Sequence, residues 1–195
     1  MQSSKQIIYW ELLVVRCQRG DSGAFRELVN AWERPLVYYI RRLMGARGVE
    51  WDVLQEVWLR VFRGIGSLRE PRTLPVWLYR IARRAAMRHL RDSYSEPAID
   101  QSIADLNAIE VEFDQRLHFA PEEAEQVHRA MEKIPLAFRE VLTLHFLEDL
   151  SVAEAADVIG IPPGTVKSRL YHAKRALRAA LQDMEKPWTA NSKTN

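Results

Sequence analysis

Cysteine is almost absent from this sequence: Cys17 is the only one in 195 residues. One thiol excludes an internal disulfide framework and a four-cysteine zinc site, and it fits a reducing compartment. No apolar run approaches the roughly 18 residues that a transmembrane helix needs, so no membrane insertion is expected. The N-terminal stretch MQSSKQIIYWELLVVRCQRG is mildly apolar, but Glu11 interrupts it. It also lacks the basic start and small-residue cleavage site of a signal peptide, so a cytoplasmic location is expected. Signs of catalysis are missing too. His89, His118, His128, His145 and His172 are scattered, Cys17 has no evident partner, and no glycine loop suited to cradling phosphate appears. The expectation is a protein that is not an enzyme and needs no cofactor. No strand pattern and no internal repeat compete with a helical reading.

What is present is charge in blocks. The net charge of +2 conceals +8 over residues 1–93, −7 over 94–135 and +1 over 136–195. Basic, acidic and mixed blocks in succession suggest two modules and an acidic connector. Basic clustering suggests contact with a polyanion, although charge alone carries no sequence specificity.

Nearly every periodic stretch predicts helix. Asp21 is placed to cap a helix bearing Phe25, Leu28, Trp32, Leu36, Ile40 and Leu43, spaced by threes and fours. Pro35 predicts a kink or restart within it, and Gly45 and Gly48 mark its end. Further helices are predicted over 51–65 and 76–91, with a loop at 64–75. Residues 94–120 are acidic and weakly periodic, which predicts a flexible linker. Pro121 with Glu122 and Glu123 suits the first turn of a second module, 121–183. Another helix is predicted over 136–148. The expected fold is all-α: a helical domain over 1–93, the linker, a second helical domain, and a polar tail over 184–195 that predicts disorder apart from Trp188.

The second module carries the sharper pattern. Ser151 and Glu154 form an S-x-x-E capping box. Ala156 lets two helices cross closely, Gly160 permits a left-handed turn between them, and Val166 locks the second onto the first. Val166, Leu170, Ala173, Leu177 and Leu181 make one buried stripe. The opposite face carries Lys167, Arg169, Lys174, Arg175 and Arg178, with Ser168, Tyr171 and His172 and no acid. In a helix-turn-helix the second helix enters the major groove with its N-terminal residues at base edges. Lys167, Ser168, Tyr171 and His172 occupy that end, while Arg175 and Arg178 suit phosphates. A solvated basic helix is the plainer alternative; the capping box, the Ala/Gly/Val spacing and the acid-free face favour DNA.

Two features mark the first module. DVLQEVWLRVF places Asp52, Gln55 and Glu56 at i, i+3 and i+4 on one helical face. That patch is open to three readings: an ordinary wet surface, a dock for a basic protein, or a metal chelate, the last lacking any nearby histidine. WLYRIARRAAMRHLR sets Arg80, Arg84, Arg88 and Arg91 in a stripe, with Arg83 beside it and Trp77 at its start. Trp77 alone reads as core. The stripe, with almost no local acid, suits a nucleic-acid backbone.

Taken together, GDSGAFRELV, DVLQEVWLRVF, WLYRIARRAAMRHLR and IPPGTVKSRLYHAKRAL resemble the ordered motifs of extracytoplasmic-function (ECF) sigma factors, the smallest group of the sigma-70 family of bacterial RNA polymerase subunits. The resemblance covers about residues 15–93 (sigma2-like) and 121–183 (sigma4-like). It implies that Asp52, Gln55 and Glu56, supported by Leu59, Arg60 and Phe62, dock on the clamp coiled coil of the β′ subunit. The loop 64–75, with Ser67, Arg69 and Arg72, and the helix bearing Trp77, Arg80, Arg83, Arg84, Arg88 and Arg91 would open the minus-ten element and hold a flipped base. Lys167, Ser168, Arg169, Tyr171, His172, Arg175 and Arg178 would bind the minus-35 element, and helices near 136–146 the β flap. The acidic linker would thread toward the RNA exit path. Promoter DNA, core polymerase and an anti-sigma factor are the implied partners. Two departures stand out: Arg84 and Arg88 replace the usual Asn and Asp, and Trp51 replaces the commoner acid before Asp52. A stand-alone helix-turn-helix regulator is the alternative, and it leaves both features of the first module without a purpose.

Overall fold

Asp21 sets the first long helix in place. Its carboxylate accepts from the amide of Ala24 at 3.0 Å, satisfying one of the donors that a helix N-terminus leaves unpaired. That bond is the main reason its carboxyl is held below the usual range, with the Arg16 guanidinium beside it acting in the same sense. The computed structural model describes residues 4–45, 48–93 and 124–185. Among these the order is α1 (Ser4–Gln18), α2 (Ser22–Met44), α3 (Glu50–Gly64), two 3₁₀ turns, α4 (Leu74–Ser93), α5 (Ala124–Lys133), α6 (Leu136–Leu142), a π-helical turn (Thr143–Leu147), α7 (Val152–Ile159) and α8 (Pro163–Glu185). No strand occurs among the described residues. The all-α expectation holds. The linker expected over 94–120, the Pro121–Glu123 start of the second module and the tail from residue 186 lie outside the described residues.

The first module packs α1–α4 around Leu13, Val14, Leu28, Leu36, Ile40, Val57, Val61, Leu78 and Ala82, all essentially without solvent exposure. Aromatic edges knit it together: Trp32 meets Trp10 at 5.4 Å and Tyr79 at 5.9 Å, and Tyr39 meets Tyr79 at 5.2 Å. Of the kink or restart expected at Pro35, the restart does not occur: α2 runs through Pro35 as one helix. The second module packs α5–α8 around Met131, Val141, Leu144, Val166, Leu170 and Ala173.

Two further features depart from expectation. The helix expected over 136–148 changes character at Thr143, whose carbonyl accepts from the Glu148 amide five residues on. The loop 64–75 is folded: two 3₁₀ turns occupy 65–67 and 71–73, and α4 starts at Leu74. Gln18 of α1 pins it, donating to the carbonyls of Ile65 at 3.0 Å and Leu68 at 2.8 Å.

Candidate nucleic-acid and partner interfaces

α7 and α8 build the turn that the sequence predicts. The Ser151 hydroxyl accepts from the Glu154 amide at 3.2 Å and the Glu154 carboxylate accepts from the Ser151 amide at 2.8 Å, so the box is complete. Gly160 adopts φ 80°, ψ 38°, the left-handed conformation an L side chain resists. The carbonyl of Ala156 accepts from both Gly160 and Ile161. Pro163 opens α8, where a missing N–H costs nothing. Val166, Leu170, Ala173 and Leu177 are buried as one stripe.

The polar residues of α8 do not all share one face. Lys167, Arg175 and Arg178 are exposed, and Arg169, Tyr171 and His172 are half-buried. Arg175 lies over the Tyr171 ring at 5.8 Å, and His172 stacks on Phe138 at 6.4 Å. Ser168 is only 2% exposed, and its hydroxyl has no hydrogen-bond partner in the protein. The expected grouping of Ser168 with Lys167 at the outer surface is therefore corrected. α8 packs against α5, α6 and α7, so more than one side of it is covered.

On α3, Asp52 and Gln55 are exposed as expected, and the surface around them is apolar. Trp51 is 54% exposed, Leu59 53% and Phe62 66%. Phe62 keeps one edge against Phe25, with ring centres 5.2 Å apart. Glu56 is half-buried between two cations: its Oε1 accepts from Arg60 at 2.5 Å and from Arg88 of α4 at 3.1 Å. Among the described residues no group of three or more His, Cys, Asp or Glu is placed to hold a metal ion.

The arginines of α4 are divided by direction. Arg84 and Arg91 face solvent. Arg88 turns to α3, and Arg80 and Arg83 turn to the second module. Arg80 Nε donates to the Asp157 carbonyl at 3.2 Å. Arg83 Nε donates to the Glu140 carboxylate at 2.8 Å. Trp77 is half-buried, and its ring lies so close to Gly64 that a Cβ there would sit 3.3 Å from it. In the loop, the Ser67 hydroxyl donates to the Gly64 carbonyl, Arg72 pairs with Glu70 and Arg69 is exposed. Beside it lies a groove of about 1150 Å³. Arg69, Arg72 and Arg80 are among its lining residues, and so are Asp149, Glu154 and Asp157.

The contact between modules went unread in the sequence. Glu140, 2% exposed, also accepts from the Tyr39 hydroxyl at 2.9 Å. Tyr79 donates to the Glu148 carboxylate, and Tyr38 meets His128 Nε2 at 2.9 Å. Arg139 of α6 joins the ends of α2 and α5, donating to the carbonyls of Arg42, Glu132 and Ile134. Burial raises both the Tyr79 hydroxyl and the Glu148 carboxyl above their usual ranges.

Residues 28–95 match the family described as Sigma-70 region 2, and residues 124–177 match Sigma-70, region 4. The RNA polymerase sigma-H factor of Pseudomonas aeruginosa is 33% identical over 88% of this chain and 93% of its own length. This chain belongs to the sigma-70 family. Two further relatives within that family are named as ECF sigma factors: the ECF RNA polymerase sigma-E factor of Escherichia coli is 31% identical over 89% of this chain and 95% of that protein, and Bacillus subtilis SigW is 26% identical over 88% and 96%. The chain is an RNA polymerase sigma factor of the ECF type. Its fold is shared with CnrH, solved in complex with the cytosolic domain of CnrY (TM-score 0.65, 22% identity, 91% of this chain and 99% of that one). It is shared too with the sigma factor RpoE of Bartonella quintana, solved with the anti-sigma factor NepR (TM-score 0.62, 19% identity, 83% and 98%). No helix among the described residues of this sigma factor is long and apolar enough to cross a membrane.

Proposed function

We propose that this sigma factor docks on core RNA polymerase through α3 and directs promoter-specific initiation as a binding subunit that performs no chemistry of its own. The observation that carries this reading is the α3 face, where Trp51, Leu59 and Phe62 stand in solvent beside Asp52 and Gln55. Exposed large apolar groups rimmed by polar ones mark protein contact. The acids suit the basic side of a coiled coil, and the β′ clamp coiled coil is the partner assigned to them. A helix-turn-helix regulator acting alone would have no use for that face.

Lys167 and Tyr171, with Arg169 and His172 behind them, read the minus-35 element, while Arg175 and Arg178 neutralise phosphates. Arg84 and Arg91 supply backbone contacts at the minus-ten element, and the 64–75 loop beside Trp77 receives the unstacked base. An anti-sigma factor is a further partner, supported by the like-folded RpoE having been solved with one.

The test is transcription. Core polymerase with this chain is offered a random promoter library, and run-off products are sequenced. A shared upstream and downstream element in the products is expected. Asp52→Lys with Glu56→Lys should abolish both co-purification with core and transcription. Core binding that survives the double charge reversal would remove α3 from the docking role.

A further inference from the structure

Glu56 lies between two surfaces that the proposed function keeps separate. It projects from α3 beside the docking groups Asp52, Gln55 and Leu59, yet one of its partners comes from the arginine helix. Its Oε1 accepts from Arg60 Nη2, one turn along the same helix, and from Arg88 Nη1 of α4 at 3.1 Å. The Arg88 side chain is 52% exposed and that of Glu56 38%. Arg88 therefore reaches out of the stripe of α4 and spends its charge on the docking face.

We infer that Glu56 and Arg88 form an exchangeable ion pair that couples polymerase docking to nucleic-acid binding, with Arg88 as a positioning residue. The inference rests on the proposed docking of α3. Two own-chain guanidiniums already share one carboxylate oxygen, so a cation of the partner approaching Glu56 competes with them. Arg88 is the partner on a different helix and the longer of the two contacts, so it is the one released. Once released, its guanidinium lies beside Arg84 on a half-exposed flank of α4, free to neutralise a phosphate. The linkage runs both ways: a phosphate that takes Arg88 leaves Glu56 more available to the polymerase. Exposed ion pairs are weak, which suits exchange; a buried pair such as Arg83–Glu140 does not trade partners so cheaply.

The experiment is a double-mutant cycle on core binding without DNA. The affinity of the full chain for purified bacterial core RNA polymerase is measured by fluorescence anisotropy for the wild type, Arg88→Gln, Glu56→Gln and the double variant. Arg88→Gln is expected to tighten binding about two- to fivefold in the wild-type background, the range of an exposed ion pair, and to change nothing in the Glu56→Gln background. Arg88→Lys, which keeps the charge, should stay near the wild type. Equal tightening in both backgrounds would reduce the effect to net charge and overturn the coupling, as would no tightening in either. If the wild type fails to bind core, the docking reading falls and the coupling with it; if it binds and the cycle is additive, only the coupling falls.

Discussion

Arg83 of α4 and Glu140 of α6 meet across the boundary between the two modules, with Nε 2.8 Å from Oε1 and Nη2 3.4 Å from Oε2. The carboxylate is 2% exposed and the guanidinium 26%, and Tyr39 donates to the same Oε1. Removing one partner of a buried pair strands the other, typically at about 3–5 kcal/mol. Here Tyr39 remains and Arg83 is partly wet, so Arg83→Ala is expected to cost about 2–3 kcal/mol. Arg83→Met combined with Glu140→Gln, which keeps an acceptor for the Tyr39 hydroxyl, should recover part of that loss, because neither charge is then buried. Urea unfolding of the two single variants and the double decides it; additive losses would contradict the assignment.

Acid should loosen the same boundary at His128. Its imidazole meets the Tyr38 hydroxyl, with Arg42 alongside and Glu132 one turn on. Desolvation lowers its pKa, Arg42 lowers it further and Glu132 opposes both. A histidine held below its unfolded value of about 6.5 contributes stability that is full above that pH and is lost as pH falls through it toward the lower folded value. Glu148 acts in the opposite sense, since a carboxyl raised by burial takes up its proton more readily in the folded state. The difference between wild type and His128→Gln isolates the histidine. Urea midpoints should decline less in the variant between about pH 7 and pH 5.5. Parallel declines would count against it.

Ser168 offers a sharp contrast between position in the chain and position in space. A buried hydroxyl without a partner lowers stability, and alanine is the better helix former. Ser168→Ala should raise stability by about 0.5–1.5 kcal/mol and leave the choice of minus-35 sequence unchanged. Thermal melting and the promoter-library readout check the two halves. Lys167→Ala, by contrast, should alter DNA binding and barely move the melting point.

The ends of α7 can be tested separately. Gly160→Ala forces a side chain into φ 80° although no atom lies within 4 Å of the added Cβ, so the cost is backbone strain alone, about 1–2 kcal/mol. Ser151→Ala removes one bond of the capping box and should cost about 1 kcal/mol. The sites are distant enough along the helix that the double variant should be close to additive in chemical denaturation.

These cases also separate what can be read from sequence from what cannot. The Asp21 cap, the capping box and the Gly160 turn were legible because each is decided by atoms a few residues apart. α1 was not read as a helix: Ile7, Ile8, Leu12 and Leu13 put apolar groups on several of its sides, which blurs the period, and only packing against α2 and the two 3₁₀ turns, distant in sequence, decides that Trp10, Leu13, Val14 and Cys17 turn inward. Glu140 was legible in principle, as the one acid in the stripe Ala137, Glu140, Val141, Leu144, but its partners Tyr39 and Arg83 lie 101 and 57 residues away. Ser168 was misplaced because a helix covered on several sides has more than one buried stripe. Arg84 and Arg88 looked alike as departures from the family pattern; only the fold shows that one faces water and the other holds Glu56.

The boundary sealed by Glu140 also sets a length. A compact chain of this size has a radius of gyration of about 16 Å and is about 40 Å across. Promoter elements centred near minus-35 and minus-ten stand about 80 Å apart along B-DNA, at about 3.4 Å per base step. With the modules closed on each other, the molecule is too short a ruler to touch both marks. On the proposed function it becomes long enough only when the whole boundary parts, Arg83 and Tyr39 from Glu140 together with Tyr79 from Glu148 and Tyr38 from His128, so the free energy of that release is the threshold that polymerase contact would have to exceed before a promoter is measured out.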